Sequence, residues 1–164
     1  DYSRYIIAWK LCTTMKASDV TDTLELALQV SGCDRVNVHH RPRLLSDNGA
    51  SYIAGDLAAW LEDNGMEHVR GAPYHPQTQG KIERWHQTLK NRILLENYYL
   101  HGDLEAEIGA FVADYNHRRC HESLGNLTPA DVYLGRGQTI LLERERIKRQ
   151  TIAHRRLQHR TQAA

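Results

Sequence analysis

The 164-residue chain is 41% hydrophobic and 25% charged, a balance compatible with one compact domain of ordinary length plus a tail. Cys12, Cys33 and Cys120 lie far apart without a C-x-x-C pair, so neither a disulfide framework nor a thiolate zinc site is indicated and a reducing cytoplasm fits. The net charge of +1 conceals an asymmetry: residues 1–135 hold thirteen Lys and Arg against eighteen Asp and Glu, net −5, whereas residues 136–164 hold eight against two, net +6.

No apolar run approaches the roughly 20 residues of a membrane span, and no basic leader precedes an apolar segment. The expectation is a soluble, unsecreted protein. The first residue is Asp1, not Met, and the residues just after it read as a strand already in progress, so a fragment or trimmed product is expected.

Arg4 to Leu11 form a β-branched and aromatic run of strand length, one half of an expected hairpin. Ser18 is positioned to cap a helix whose apolar residues Val20, Leu24 and Leu28 share a face, with Gly32 closing it. Arg43 to Ser46 read as a short buried strand that delivers Asp47 into Asn48-Gly49, a turn that tolerates positive φ. A helix from about Tyr52 to Asp63 carries Leu57 and Leu61 at i, i+4 and stops at Asn64-Gly65, and Met66 to Arg70 give a second short strand. Gly71 to Gln79, with two prolines and few apolar side chains, reads as a mobile surface loop.

A long helix starts near Gly80, with Ile82, Trp85, Leu89 and Ile93 as its core stripe and Glu83 facing away from the core. The next helix, about Asp103 to His117, is expected to bury Leu104, Ile108, Phe111, Val112 and Tyr115. Thr128-Pro129 opens a short helix as cap and first residue. The last helix, about Thr139 to Gln158, spaces Leu142, Ile147, Ile152 and Leu157 too irregularly for a stripe and should dock weakly or extend. This order of elements argues for an α/β layered domain with a mixed sheet over 1–135, followed by a basic helical or disordered tail over 136–164.

Asp47 and Glu83, with thirty-five residues between them, each put a carboxylate at the edge of an element. Hard divalent ions take carboxylate oxygens, and two such ions can clamp the attacking and leaving oxygens of a phosphodiester. Taken singly, an Asp-Asn-Gly is most often a turn, and a Glu near a helix start usually serves the helix dipole.

The pattern Ser46-Asp47-Asn48-Gly49, the gap, then His75-Pro76-Gln77-Thr78-Gln79-Gly80-Lys81-Ile82-Glu83-Arg84 resembles the catalytic core of the retroviral-integrase superfamily, specifically the integrase-like transposases of insertion sequences. A second block carries the same resemblance: Asp114-Tyr115-Asn116, Arg118, His121, Leu124-Gly125, Thr128-Pro129-Ala130 and Tyr133. It runs from Asp1 to about Gly135. The resemblance implies a ribonuclease-H-like fold and a D,D-35-E triad that uses Mg²⁺ or Mn²⁺ to cut DNA at element ends and join the 3′ hydroxyl to target DNA. It also implies homo-oligomers on DNA, without a membrane, in the cytoplasm or on the nucleoid. Asp47 matches the second acid and Glu83 the third, both as catalytic residues and metal ligands. The first acid lies on a strand upstream of the hairpin that Asp1-Tyr2-Ser3-Arg4 resembles. Asp1 therefore looks like a non-catalytic acid, with the first strand, most of the second and the first ligand outside the chain.

Lys90, seven residues past Glu83, is placed to meet a DNA phosphate on the same helix face, and Arg84 and Arg92 flank it. The alternative is a solvated lysine. Tyr74 and His75 either contact DNA or make no specific contact. His117, Cys120 and His121 offer zinc-type donors at poor spacing without a fourth ligand, so an ordinary polar loop is expected there. The basic tail is either a polyanion-binding arm or a solvated end. Two functions are consistent with these residues: a transposase catalytic core, expected to be inactive as it stands, or a non-catalytic remnant acting as a DNA-binding or assembly module.

Overall fold

A computed structural model of the chain describes residues 2–35, 41–71 and 80–162. The chain divides into two compact units, one of Ile6–Gly109 and one of Asp1–Tyr5 with Ala110–Ala164. Among the described residues, no helix is long and apolar enough to cross a membrane.

The unit Ile6–Gly109 begins with helix α1 (Ala17–Ser31), which starts at Lys16 rather than Ser18. The cause is Asp19, whose carboxylate accepts the Lys16 backbone N–H at 3.0 Å and so satisfies a donor the helix start leaves orphaned. Hydrogen bonds from the Thr14 hydroxyl and then the Lys16 amide hold the Asp19 carboxyl below its ordinary value. At the other end, Gly32 adopts φ 72° and its N–H reaches the Gln29 and Leu28 carbonyls, the left-handed stop expected of glycine.

Strand β1 (Leu44–Ser46) leads into α2 (Ala50–Ile53) and α3 (Gly55–Asp63), and β2 (His68–Arg70) comes next. The predicted helix over 52–63 is thus two helices, broken at Ala54, where ψ 139° is extended. β1 and β2 are parallel, with Leu44 opposite His68, Leu45 opposite Val69 and Ser46 opposite Arg70. A parallel pair needs a crossover, which α2 and α3 supply. The i, i+4 pair on α3 is the centre of this unit: Leu57 is 0% and Leu61 2% exposed, with Leu28 and Ile108 also buried.

Arg4 to Leu11 do not form the expected strand. Strand propensity needs a ladder partner to take effect, and among the described residues the sheet consists of β1 and β2 alone. Helix α4 (Gly80–Ile93) starts where expected, but its stripe is not a core: Ile82 is 55% exposed and no residue of the helix is fully buried. Most of the predicted loop, with Tyr74 and His75, lies outside the described residues.

Helix α5 (His101–His117) buries Ile108, Phe111, Val112 and Tyr115 as its periodicity predicts, and Asn116 as well, while Leu104 is half-buried. In the second unit Phe111, Val112, Tyr115 and Asn116 accompany a 3-10 turn (Glu122–Leu124) and α6 (Pro129–Tyr133). Thr128 caps α6 as expected, its hydroxyl accepting the Asp131 N–H at 3.2 Å. Tyr5 stacks on Tyr133 with ring centroids 4.4 Å apart. His121 stands edge-on to Tyr115, and its backbone N–H donates to the Leu127 carbonyl at 3.0 Å. Helix α7 (Gly137–Gln162) begins at a buried glycine where a Cβ would come within 2.9 Å of Leu127 Cδ1. From Leu141 to Gln162 every residue is exposed, as the irregular apolar spacing predicts.

Candidate active site

Asp47 is positioned by its own turn. β1 ends at buried Ser46, and one residue later the Asp47 Oδ1 accepts the Gly49 N–H at 2.8 Å, an Asx turn that leads into α2. Gly49 has φ −60°, so the glycine is not there for a left-handed backbone, contrary to the sequence expectation. It is there for space: a Cβ would stand 2.9 Å from the Asp47 Oδ1. The Asn48 side-chain amide donates to the Gly71 carbonyl at 3.0 Å, and the Gly71 N–H donates to the Ser46 carbonyl at 3.0 Å. The turn is therefore tied to the end of β2 through both its backbone and a side chain.

A second tie lies beneath it. The Ser46 hydroxyl donates to the Asp47 carbonyl at 2.9 Å and is 2.8 Å from His68 Nε2. A hydroxyl carries one proton, so when that proton is on the Asp47 carbonyl the bond to His68 takes the Nε2–H as donor. Burial, then the nearby Arg70 charge, holds the His68 imidazole below its ordinary value, which favours this neutral ring. Tyr52 on α2 has its phenol pushed up by burial first and by the Asp47 carboxylate second. Asn48, Tyr52, His68 and Gly71 thus support Asp47. Only Asn48 stood in the sequence motif, and as a turn former; Tyr52 comes with α2, and the pairing of β1 with β2 brings in His68 and Gly71.

Glu83 sits exposed in the first turn of α4. Lys90 lies two turns further on, exposed, near enough to His86 that its charge adds to burial in lowering that imidazole. Arg84 is exposed as well. Arg92 is engaged, its Nε donating to the Glu107 carboxylate at 3.2 Å, so a phosphate there competes with an existing partner.

Asp47 and Glu83 lie in the same unit. Both present hard, exposed oxygen donors that fit Mg²⁺ or Mn²⁺, and the Gly49 bond occupies one of about four acceptor sites on Asp47. Among the described residues no three His, Cys, Asp or Glu side chains form a metal-holding group. Of the zinc-type donors, His117 is edge-on to Tyr5, His121 packs on Tyr115, and Cys120 is exposed.

Asp47 follows directly on the end of β1, and Glu83 lies in the first turn of the later helix α4. The solved catalytic core domain of bovine immunodeficiency virus integrase superposes with a TM-score of 0.57 at 27% identity, covering 85% of this chain and 84% of that one. The fold is accordingly ribonuclease-H-like. Integrase core domain families match residues 1–76 and 64–129. The chain belongs to the integrase core family. It is 34% identical over 118 residues to the Gag-Pol polyprotein of bovine immunodeficiency virus and 32% identical over 105 residues to the Pol polyprotein of equine infectious anemia virus. These matches cover 67% and 62% of this chain but only 7% and 9% of the polyproteins.

Proposed function

We propose that the chain is the catalytic core of an insertion-sequence transposase, a polynucleotidyl transferase that cuts element ends and joins their 3′ hydroxyl to target DNA. Asp47 and Glu83 are its divalent-metal ligands. The observation that carries this reading is the Asp47 turn: an exposed carboxylate held at a strand end by an Asx bond, with the turn tied to β2 through Asn48 and Gly71.

Asp47 and Glu83 would hold divalent ions, which when bound would supply charge stabilisation for an in-line phosphodiester displacement. The residues of the chain do the rest. Asp47 supplies ligand oxygens from a fixed backbone, Glu83 supplies them from a helix start, and Lys90 neutralises a phosphate along the same face of α4. Arg84 adds a further contact, and Arg92 does so by exchanging Glu107 for phosphate. The partner is DNA, bound by a homo-oligomer in the cytoplasm or on the nucleoid.

The family triad calls for one more aspartate, to which no residue of 1–164 corresponds. Residues 1–164 alone are therefore expected not to join DNA ends, whereas a polypeptide that also carries that aspartate upstream is expected to do so with Mg²⁺ or Mn²⁺. Glu83→Gln or Asp47→Asn in the longer polypeptide should abolish joining. Unimpaired joining by either variant would contradict the assignment.

A further inference from the structure

Helix α7 carries most of the chain's excess positive charge, and its cations fall into two sets. Arg144 donates to the Gly125 and Asn126 carbonyls at 3.2 Å each, which anchors the helix start. Arg146 pairs with Glu143 at 2.6 Å and Arg149 with Glu145 at 2.9 Å. Beyond Glu145 the sequence holds no Asp or Glu. Lys148, Arg155, Arg156 and Arg160 are exposed and, among the described residues, have no carboxylate partner. At about 100° and 1.5 Å per residue they occupy an arc of roughly 140° along about 18 Å of helix.

We propose that this face of α7 is a binding surface for the phosphate backbone of double-stranded DNA. The assignment rests on the reading of DNA as partner and specifies where on the chain the duplex lies. A charged helix could instead lie on an anionic membrane, but that requires an apolar face opposite the cations. Here Leu142, Ile147, Ile152 and Leu157 each come five residues after the last, a step that winds round the helix and builds no such face. The same winding denies a second copy the a/d seam of a coiled coil. A duplex needs neither, because it offers one negative charge per about 1.7 Å and is met by spaced cations alone. Residues 1–135 have net charge −5, so beyond the local contacts of Lys90, Arg84 and Arg92 the excess of positive charge that attracts a polyanion lies in this helix.

The test is the salt dependence of binding to a random-sequence duplex by the full chain, compared with a variant carrying Lys148, Arg155, Arg156 and Arg160→Gln. Glutamine keeps helix propensity, and circular dichroism verifies that α7 persists. Each lost phosphate contact removes about 0.9 from the slope of log K against log salt, so the slope should flatten by about 3 to 4 and affinity at 0.1 M salt should fall at least about 100-fold. A second variant removes the same charge from cations that already pair with carboxylates, by Lys10, Arg35, Arg43 and Arg118→Gln, and should keep a slope near that of the parent. If the parent chain binds and the α7 variant keeps its slope, the surface is elsewhere while DNA remains the partner. If the second variant flattens the slope equally, net charge and not α7 is responsible, and the proposal falls. Tighter binding of the parent chain to phosphatidylserine vesicles than to DNA would also overturn it. A parent chain with no salt-dependent DNA binding would remove the reading of DNA as partner, and this surface with it.

Discussion

The two proposed metal ligands sit on ground of very different firmness. Asp47 comes after a strand whose last residue is buried, in a turn locked by its own carboxylate, by Asn48 and by the Gly71 amide, with fully buried Leu57 in the adjoining helix pair. Glu83 rides on α4, a helix with no fully buried residue and a half-exposed Ile82. One acid is therefore preorganised by the fold and the other is carried by an element whose position depends on weaker packing. A metal site assembled from such a pair has a rigid half and an adjustable half. On the proposed reading, DNA and metal binding would have to place α4 but not the turn after β1.

The largest expected effect falls on both halves alike. Asp47→Asn and Glu83→Gln, tested in a polypeptide competent for strand transfer, should each lower its rate by at least about 100-fold, since even groups that only orient metal ligands are typically worth 10–100-fold. An effect confined to one acid would break the pairing. Stability should separate the halves: Leu57→Ala is expected to cost about 2–5 kcal/mol in chemical denaturation, and Leu89→Ala on α4 about 1 kcal/mol or less. Equal costs would show that α4 is as firmly packed as α3. Gly49→Ala places a Cβ 2.9 Å from the Asp47 Oδ1 and must turn the carboxylate, so a loss of about 1–3 kcal/mol with weakened Mn²⁺ binding is expected. Asn48→Ala removes only the bond to the Gly71 carbonyl and should cost about 1 kcal/mol.

The smallest effect is one of pH. Burial and Arg70 lower the His68 imidazole in the folded chain. A group with a depressed folded pKa contributes stability that is present above its unfolded value, about 6.5, and is lost as pH falls through the folded one. Stability should therefore decline below about pH 6.5, and His68→Gln should lessen that decline. A chemical-shift titration of His68 reaching its midpoint above 6.5 would contradict this.

Where local chemistry decides, the residues announced the structure. The i, i+4 spacing of Leu57 and Leu61 marked the buried side of α3, Gly32 marked the end of α1, and Thr128-Pro129 marked the start of α6. Where a partner decides, they did not. Arg4 to Leu11 have every strand preference and no ladder. The stripe of α4 has the correct period, but among the described residues Trp85, Leu89 and Ile93 are only half-buried and Ile82 is exposed. At the site, Ser46-Asp47-Asn48-Gly49 and Glu83 are visible as a motif, but Gly49 suggests backbone freedom when its role is to leave room for a carboxylate. His68 and Gly71 have no signal of their own, because only the parallel pairing of β1 with β2 brings them to the turn.

The most direct measurement is a Mn²⁺ titration of the chain monitored by amide signals, because a paramagnetic ion broadens only what lies near it. If Asp47 and Glu83 share a metal site, the signals of Asn48 and Gly49 and those of Glu83 and Arg84 should broaden over the same Mn²⁺ range, and Asp47→Asn should abolish the effect at both places. Broadening at one place alone, or at both places independently of Asp47, would contradict a shared site.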